Sequence, residues 1–355
     1  MNRTHRSFSV FFILLTALFL LVSSVAAAPR EGPLVSLSAS QSEFSASQDV
    51  LVSVTISNAS RNSVRMLKWF TPAEGVEEPL FVVQRDGQPV SYIGAVYKRP
   101  AITGADYLTL KAGESLTRTV NLADFYDLSG SGQYQVSYSV ASYNLFSEKS
   151  NSFKTRDMLT SATLSLKVDG RTARGKPSPT PTPLPGGNSF TACTVAQQTS
   201  LISARSGATN YSTNALSYLG GNNFTSPRYS TWFGAYTSTR YNTVQSHFNS
   251  ITDAFKNAGI TFNCGCKQNY YAYVYPTKPY EIFLCKVFWT APLSGTDSKA
   301  GTLIHEMSHF NVVASTNDYV YGQVGAKNLA STNPDNAINN ADNHEYFAEN
   351  NPSLP

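Results

Sequence analysis

The sequence predicts two parts of different class. An all-β, sandwich-like N-terminal region precedes an α+β domain organised around a helix that carries His305-Glu306-Met307-Ser308-His309. Three observations predict this division. Period-two alternation of apolar and polar residues crowds into residues 33 to about 170. A proline-rich stretch, Lys176-Pro177-Ser178-Pro179-Thr180-Pro181-Thr182-Pro183-Leu184-Pro185, then interrupts the pattern. Beyond it apolar residues recur at steps of three and four, and all four cysteines lie on that side.

Composition bounds the possibilities. With 355 residues, 41% hydrophobic and 14% charged, the chain is too apolar and too uncharged for a disordered protein, and it has length for two cored domains. The net charge of +4 is weakly basic for this length, with no Lys/Arg run to mark a nucleic-acid groove or a polybasic membrane patch. Nucleic acid is therefore not an expected partner.

Residues 1–28 are expected to be a secretory signal peptide. Arg3, His5 and Arg6 form a positive start, Phe8 to Val25 is almost wholly apolar, and Ala26-Ala27-Ala28 supplies small residues for cleavage. The mature chain is expected outside the cell, with no membrane association and as a monomer. Residues 29–170 read as the β-region. Val50 to Ile56 is rich in β-branched residues, and Asp86-Gly87 is a hairpin signal between Phe81-Val82-Val83 and Val90-Ser91-Tyr92-Ile93. Tyr134 to Val140 and Ala162 to Val168 alternate with period two. After the signal peptide this region holds no His and no Cys, so chemistry is not expected there.

Residues 171–188 read as a linker of extended polyproline character, and residues 189–355 as the α+β domain. In that domain Tyr241, Val244, Phe248, Ile251 and Phe255 mark one face of a helix. Tyr270 to Tyr275 and Ile282 to Trp289 read as strands, and Asp335 as the cap of one helix running through Ile338, Ala341 and Phe347. The even number of cysteines in an exported chain predicts two disulfides. A Cys264–Cys266 bond would close too tight a ring, which leaves two orders, Cys264 and Cys266 pairing separately with Cys193 and Cys285.

The chemistry is expected on the capped helix after Asp297-Ser298. His305 and His309, at i and i+4, project from one face and can grip one ion, and Glu306 beside them can reach a water on it. Zinc suits two neutral imidazoles, and it acidifies bound water. A third His six residues after His309 is ruled out, because that position is Ser315. Asp318, nine residues after His309, can return on the following loop; Glu345 and Glu349 are the other carboxylates open to this role. Tyr321 offers a phenol for an oxyanion.

These residues resemble the aspzincin metalloendopeptidases, which include deuterolysin and the peptidyl-Lys metalloendopeptidases. The resemblance rests on His305-Glu306-Met307-Ser308-His309 followed by Ser315-Thr316-Asn317-Asp318-Tyr319-Val320-Tyr321-Gly322, and it covers residues 189–355. Gly295 to Leu303 and Asn340 to Asn350 bring it closest to the peptidyl-Lys branch. One departure is Ser315, where the family motif usually has Gly. The resemblance implies a zincin-like fold, one zinc on His305, His309 and Asp318, Glu306 as general base, and Tyr321 as hydrogen-bond donor to the transition state. It implies disulfides Cys193–Cys264 and Cys266–Cys285, and protein or peptide substrates. It likens the β-region to a pro-region, which would act as an inhibitor or folding aid and be released by cleavage near the linker.

Specificity has a sequence argument too. Asp342, Glu345 and Glu349 fall at i, i+3 and i+7, a stripe of like charge that a cation would relieve. In the peptidyl-Lys branch the residues matching Asp342 and Glu345 bind the lysine just after the scissile bond, so cleavage on the amino side of lysine is expected. A broad-specificity protease of the same family, or a secreted binding protein with a degenerate protease domain, are the rival readings. His247 reads as a structural or exposed residue, His344 beside Glu345 reads as either a supporting group behind the site or a surface residue, and Asn58, Asn210 and Asn223 head glycosylation sequons.

Overall fold

The computed structural model describes residues 32–147, 156–170 and 186–355. The expected signal peptide at 1–28 and residues 171–185 of the proline-rich segment lie outside the described residues. Twelve strands fall among the described residues of the N-terminal region. They are β1 (Pro33–Ala39), β2 (Glu43–Phe44), β3 (Leu51–Asn58), β4 (Val64–Leu67), β5 (Phe81–Arg85), β6 (Gln88–Pro89), β7 (Val96–Lys98), β8 (Tyr107–Leu110), β9 (Ser115–Asn121), β10 (Gly132–Ser142), β11 (Asp157–Thr160) and β12 (Leu164–Val168).

A three-stranded sheet, β1-β3-β9, faces a larger one in the order β2-β12-β10-β5-β6, with β11 also on β10, and β4 pairs with β8. Alternation does what period two dictates. Val52, Val54 and Ile56 of β3 and Tyr134, Val136 and Tyr138 of β10 point into one shared core, each side chain contributing roughly 1.5–3 kcal/mol by leaving water. The Asp86-Gly87 turn has positive φ at both residues (49° and 79°), the conformation a two-residue hairpin needs and one that Gly87 adopts without strain. Asn58 is buried, its side-chain amide donating to the carbonyls of Asn62, Leu110 and Lys111, so it props a turn inside the β-region.

The second part is mixed α+β. Its strands are β13 (Asn188–Thr191), β14 (Ile260–Asn263), β15 (Ala272–Val274) and β16 (Glu281–Leu284). Its helices are α1 (Val195–Gly220), α2 (Pro227–Phe233), α3 (Ser238–Asn257), α4 (Lys286–Thr290), α5 (Lys299–His309), α6 (Gly322–Thr332), α7 (Pro334–Ala337) and α8 (Ala341–Glu349). The first strand begins at Asn188, one residue before the expected boundary. Strands β13, β14 and β16 run parallel and β15 antiparallel to β16, the long parallel crossover being filled by α1 to α3. Helix α1 opens with a reciprocal Thr194/Gln197 capping box, and Ser226 before Pro227 starts α2. The expected face of α3 is buried at Tyr241, Val244, Phe248, Ile251 and Phe255. Disulfides join Cys193 to Cys264 and Cys266 to Cys285, fastening β13 to β14 and the following loop to the end of β16.

Three expectations are corrected. Residues 286–290 form α4 and do not continue a strand. The backbone N–H groups of Lys286 and Val287 go to the carbonyls of Gln268 and Tyr270, in the loop before β15 begins, and a short apolar run is equally compatible with helix or strand. The single helix expected from Asp335 is two, α7 and α8. Asn340 leaves helical geometry so that its side-chain oxygen can accept the N–H groups of Tyr319 and Val320. Asp335 lies in the first turn of α7 and pairs with Arg240, while Asn333 is the cap.

The third correction concerns the boundary between the parts. β7 belongs by sequence to the β-region but is the outer strand of the C-terminal sheet, whose order is β13-β14-β16-β15-β7. Among the described residues, no helix is long and apolar enough to cross a membrane.

Candidate active site

Helix α5 is the centre of the C-terminal part, with every residue buried. Ser298 caps it by accepting the Gly301 N–H, and Glu349 accepts the N–H and hydroxyl of Ser298 and the N–H of Asp297. The helical period then brings the His305 and His309 rings to a centroid separation of 4.8 Å. Asp318 arrives on the loop after the helix. That loop is pinned by Thr316 N–H to Ser308 O, by Asn317 N–H to Asn339 O, and by the two N–H groups held on Asn340. Ser315 sits in it at φ 51°, the left-handed region that glycine occupies most easily, which gives a backbone reason for the Gly it replaces.

The three side chains converge. His305 Nε2 lies 3.3 Å from Asp318 Oδ1, and His309 Nε2 lies 3.4 Å from Asp318 Oδ2, with all three side chains at most 2% exposed. Of the opposite nitrogens, His309 Nδ1 bonds to the Thr316 carbonyl at 2.8 Å, while His305 Nδ1 lies 2.8 Å from Asp342 Oδ1 as a close polar contact without hydrogen-bond geometry. Each ring thus turns its Nε2 toward Asp318, the orientation in which an outer partner fixes a metal-binding imidazole. Among the described residues, neither Nε2, neither Asp318 oxygen and neither Glu306 oxygen has a hydrogen-bond partner. Leaving so many buried polar atoms unsatisfied costs about 1–3 kcal/mol each, and a cation among the two nitrogens and the carboxylate relieves the cost.

The set can therefore hold a metal ion, and its N, N, O donors suit zinc. A second group that can hold an ion is His305 with Asp342 and Glu345, but those carboxylates already face an ammonium, as described below. Burial would raise the Asp318 carboxyl, yet the imidazoles of His309 and His305 outweigh it and hold it well below the usual carboxylate range. Burial pushes Glu306 up to about 7, so this carboxyl can take and release a proton near neutrality.

Beside this centre lies a carboxylate pocket. Asp342 and Glu345, one turn apart at the start of α8, and Asp297, just before α5, surround the Lys98 ammonium. Its Nζ is 2.6 Å from Glu345 Oε2, 3.4 Å from Asp342 Oδ1 and 3.6 Å from Asp297 Oδ1. The Tyr271 and Tyr346 rings lie 5.0 and 5.8 Å from it, close enough for cation–π attraction, and Lys98 is 1% exposed. Glu349, the third member of the acidic stripe, caps α5 and touches neither the pocket cation nor the imidazoles. Tyr321 is the residue before α6, its hydroxyl 3.1 Å from the Tyr97 carbonyl oxygen and 3.3 Å from Glu78 Oε1, and it accepts from Arg99 Nη1 at 2.8 Å.

Sequence reasoning missed Asp297 as a pocket wall, and it missed Glu78, Lys98 and Arg99 altogether. Only Asp297 left a signal, its position just before α5. His344 is fully buried and contacts His247 at 3.1 Å, so neither histidine belongs to the catalytic set.

A family model described as lysine-specific metallo-endopeptidase matches residues 218–349. An extracellular protease of Aeromonas hydrophila is 46% identical over 314 residues, which are 86% of this chain and 89% of that protein. The peptidyl-Lys metalloendopeptidase of Armillaria mellea is 36% identical over 352 residues, 94% of this chain and 96% of its own length. The chain belongs to the aspzincin metalloendopeptidases. The peptidyl-Lys metalloendopeptidase of Pleurotus ostreatus is 52% identical over 167 residues, 98% of that protein but 46% of this chain. A solved zinc peptidase from Grifola frondosa is 47% identical, covers 46% of this chain and all of its own, and has a TM-score of 0.44. Aspzincin metalloproteases use zinc, in keeping with the donor set above, and their substrates are proteins or peptides.

Proposed function

We propose that this aspzincin is a secreted zinc endopeptidase that hydrolyses the bond on the amino side of lysine. We assign its zinc to His305, His309 and Asp318, and its lysine pocket to Asp342, Glu345 and Asp297. The observation that carries the reading is the position of Lys98. A lysine ammonium lies among the three carboxylates, two of which also lie 2.8 and 3.5 Å from His305 Nδ1, while the carbonyl just before that lysine faces Tyr321 at 3.1 Å. A substrate lysine in the same place would have its preceding peptide bond at the reacting centre.

Zinc, when bound, supplies Lewis acidity that polarises a carbonyl and acidifies water. Glu306 takes a proton from the attacking water, and its carboxyl, held near 7 by burial, returns that proton to the leaving nitrogen as the C–N bond breaks. Tyr321 donates to the carbonyl oxygen as it gains negative charge. Three converging carboxylates suit a compact ammonium, whereas arginine's wide planar fork needs a different arrangement of acceptors.

The domain plan follows from this reading. Residues 1–28 are the signal peptide, 29–170 a pro-region, 171–188 the linker, and 189–355 the zincin-like catalytic domain. The Pleurotus ostreatus relative, nearly all of which matches less than half of this chain, supports a separable catalytic part. The test is to incubate the protein, nicked in the linker, with a denatured substrate of known sequence, with and without a chelator, and to map every new terminus by mass spectrometry. Chelator-sensitive cuts with lysine at nearly every new N-terminus are expected. Chelator-sensitive cuts without that bias would discard the lysine pocket, and no cuts at all would discard the enzyme mechanism.

A further inference from the structure

Successive side chains of an extended strand point to opposite faces, so the residues on either side of a cleaved bond meet different walls. β7 pairs antiparallel with β15 in the register Val96↔Val274, Tyr97↔Tyr273 and Lys98↔Ala272. Lys98 turns inward, to the carboxylates of Asp342 and Glu345. Tyr97 turns the other way, onto the outer face of the catalytic sheet, where it is half-buried.

That face carries a row of aromatic rings. The Tyr97 ring lies 5.2 Å from the Tyr273 ring opposite it and 5.3 Å from Tyr270, centroid to centroid. Tyr273 stacks in turn on Phe283, its register partner on β16, at 4.5 Å with the ring planes 5° apart. Tyr275 closes on both, at 5.9 Å from Tyr273 and 5.8 Å from Phe283. Tyr273 is therefore held in place by neighbours within the catalytic sheet. Tyr270 is less independent, because its hydroxyl donates to Glu77 and the Arg99 guanidinium lies 5.4 Å from its ring, both groups of the β-region.

We propose that Tyr273, with Tyr270 beside it, forms a second specificity site, which selects an aromatic side chain on the residue just before the scissile bond. The proposal rests on the lysine-pocket reading: with Lys98 marking the place of the substrate lysine, Tyr97 marks the place of the residue before it. The preferred substrates are then peptides with Tyr, Phe or Trp immediately before lysine. Ring pairs at these separations attract one another beyond the area they bury. An aliphatic residue gains the burial without that attraction, and a small residue gains neither.

The experiment uses the zinc-loaded protein, nicked in the linker, and three fluorogenic peptides identical except for Tyr, Leu or Ala before a single lysine. From the size of a ring pair plus partial burial, kcat/KM is expected to be about tenfold higher for Tyr than for Ala and about threefold higher for Tyr than for Leu. The same ratios are measured in Tyr273→Phe and Tyr273→Val. Y273F keeps the ring and should keep the preference. Y273V, which removes the ring but suits a strand, should bring the Tyr/Leu ratio close to one. Each ratio is taken within one enzyme, so a fall in folded fraction cancels from it.

Equal wild-type rates on all three peptides, with cuts still made before lysine, overturn the aromatic site and leave the lysine pocket standing. Rings that served only to pack the β-region against the sheet would give that result. A Tyr preference that persists in Y273V also overturns the proposal. Should Y273V fail to fold, the wild-type series decides by itself. Cuts without a lysine bias, or no cuts at all, refute the underlying reading and the aromatic site with it.

Discussion

Glu345→Gln tests the lysine pocket most directly, because it removes one charge and little volume. In the structure the Glu345 carboxylate lies 2.6 Å from the Lys98 ammonium, and both side chains are at most 1% exposed. At an effective dielectric near 20 the gross attraction of such a pair is about 6 kcal/mol. Two effects offset part of the loss. The glutamine oxygen still accepts a hydrogen bond from the ammonium, and the cost of burying the carboxylate disappears.

The net penalty for a substrate lysine is then about 2–3 kcal/mol, the range for hydrogen bonds to charged groups, or a 30- to 150-fold fall in kcat/KM. The assay uses the linker-nicked enzyme and two peptides that differ only in lysine or norleucine after the scissile bond. The lysine preference should fall by that factor, with zinc content and the norleucine rate unchanged. An equal fall for both peptides would mean that Glu345 acts through His305, whose Nδ1 is 3.5 Å away, and would refute the pocket argument.

Three other outcomes are expected. Chelation, or Asp318→Ala, should reduce zinc from one per chain to none and lower the melting temperature, since the buried His305 and His309 nitrogens lose their counterpart; metal analysis and calorimetry check this. Burial holds His344 down to about 3 and His247 to about 4, so both stay neutral in the folded state while the unfolded chain protonates below about 6.5. The contribution of these two histidines to stability should therefore be complete above that pH and be lost as pH drops towards 4, by about 1.4 kcal/mol per unit for each fully responding histidine, and a comparison of wild type with His247→Gln in urea titrations should show the variant losing less stability over that range. Gly301→Ala should destabilise by about 1–3 kcal/mol, because the added Cβ would clash with the Glu349 carboxylate and meet Glu345 Cγ at 3.0 Å; equilibrium unfolding measures it.

Local signals were legible and long-range ones were not. The spacing of His305 and His309 depends only on the helical period, and the alternation of β3 and β10 only on the pleat, so both could be read directly from the chain. Helix α1 left a weaker signal, since small and polar residues such as Ser212 and Ala215 are buried within it. The break between α7 and α8 was hidden because its cause is a loop about twenty residues away, clamped by Asn340.

What the sequence by itself determined is the division into a β-region and an α+β domain, together with the helix carrying the two histidines and Glu306. Those features follow from periodicity and capping, which act over a few residues. Only the tertiary structure decided that Asp297 joins Asp342 and Glu345, and that Lys98 lies among them. Lys98 and Glu345 are separated by 247 positions, and no local pattern records such a meeting. It is made by sheet pairing between the two parts, where backbone hydrogen bonds set the register and buried charge sets the partner.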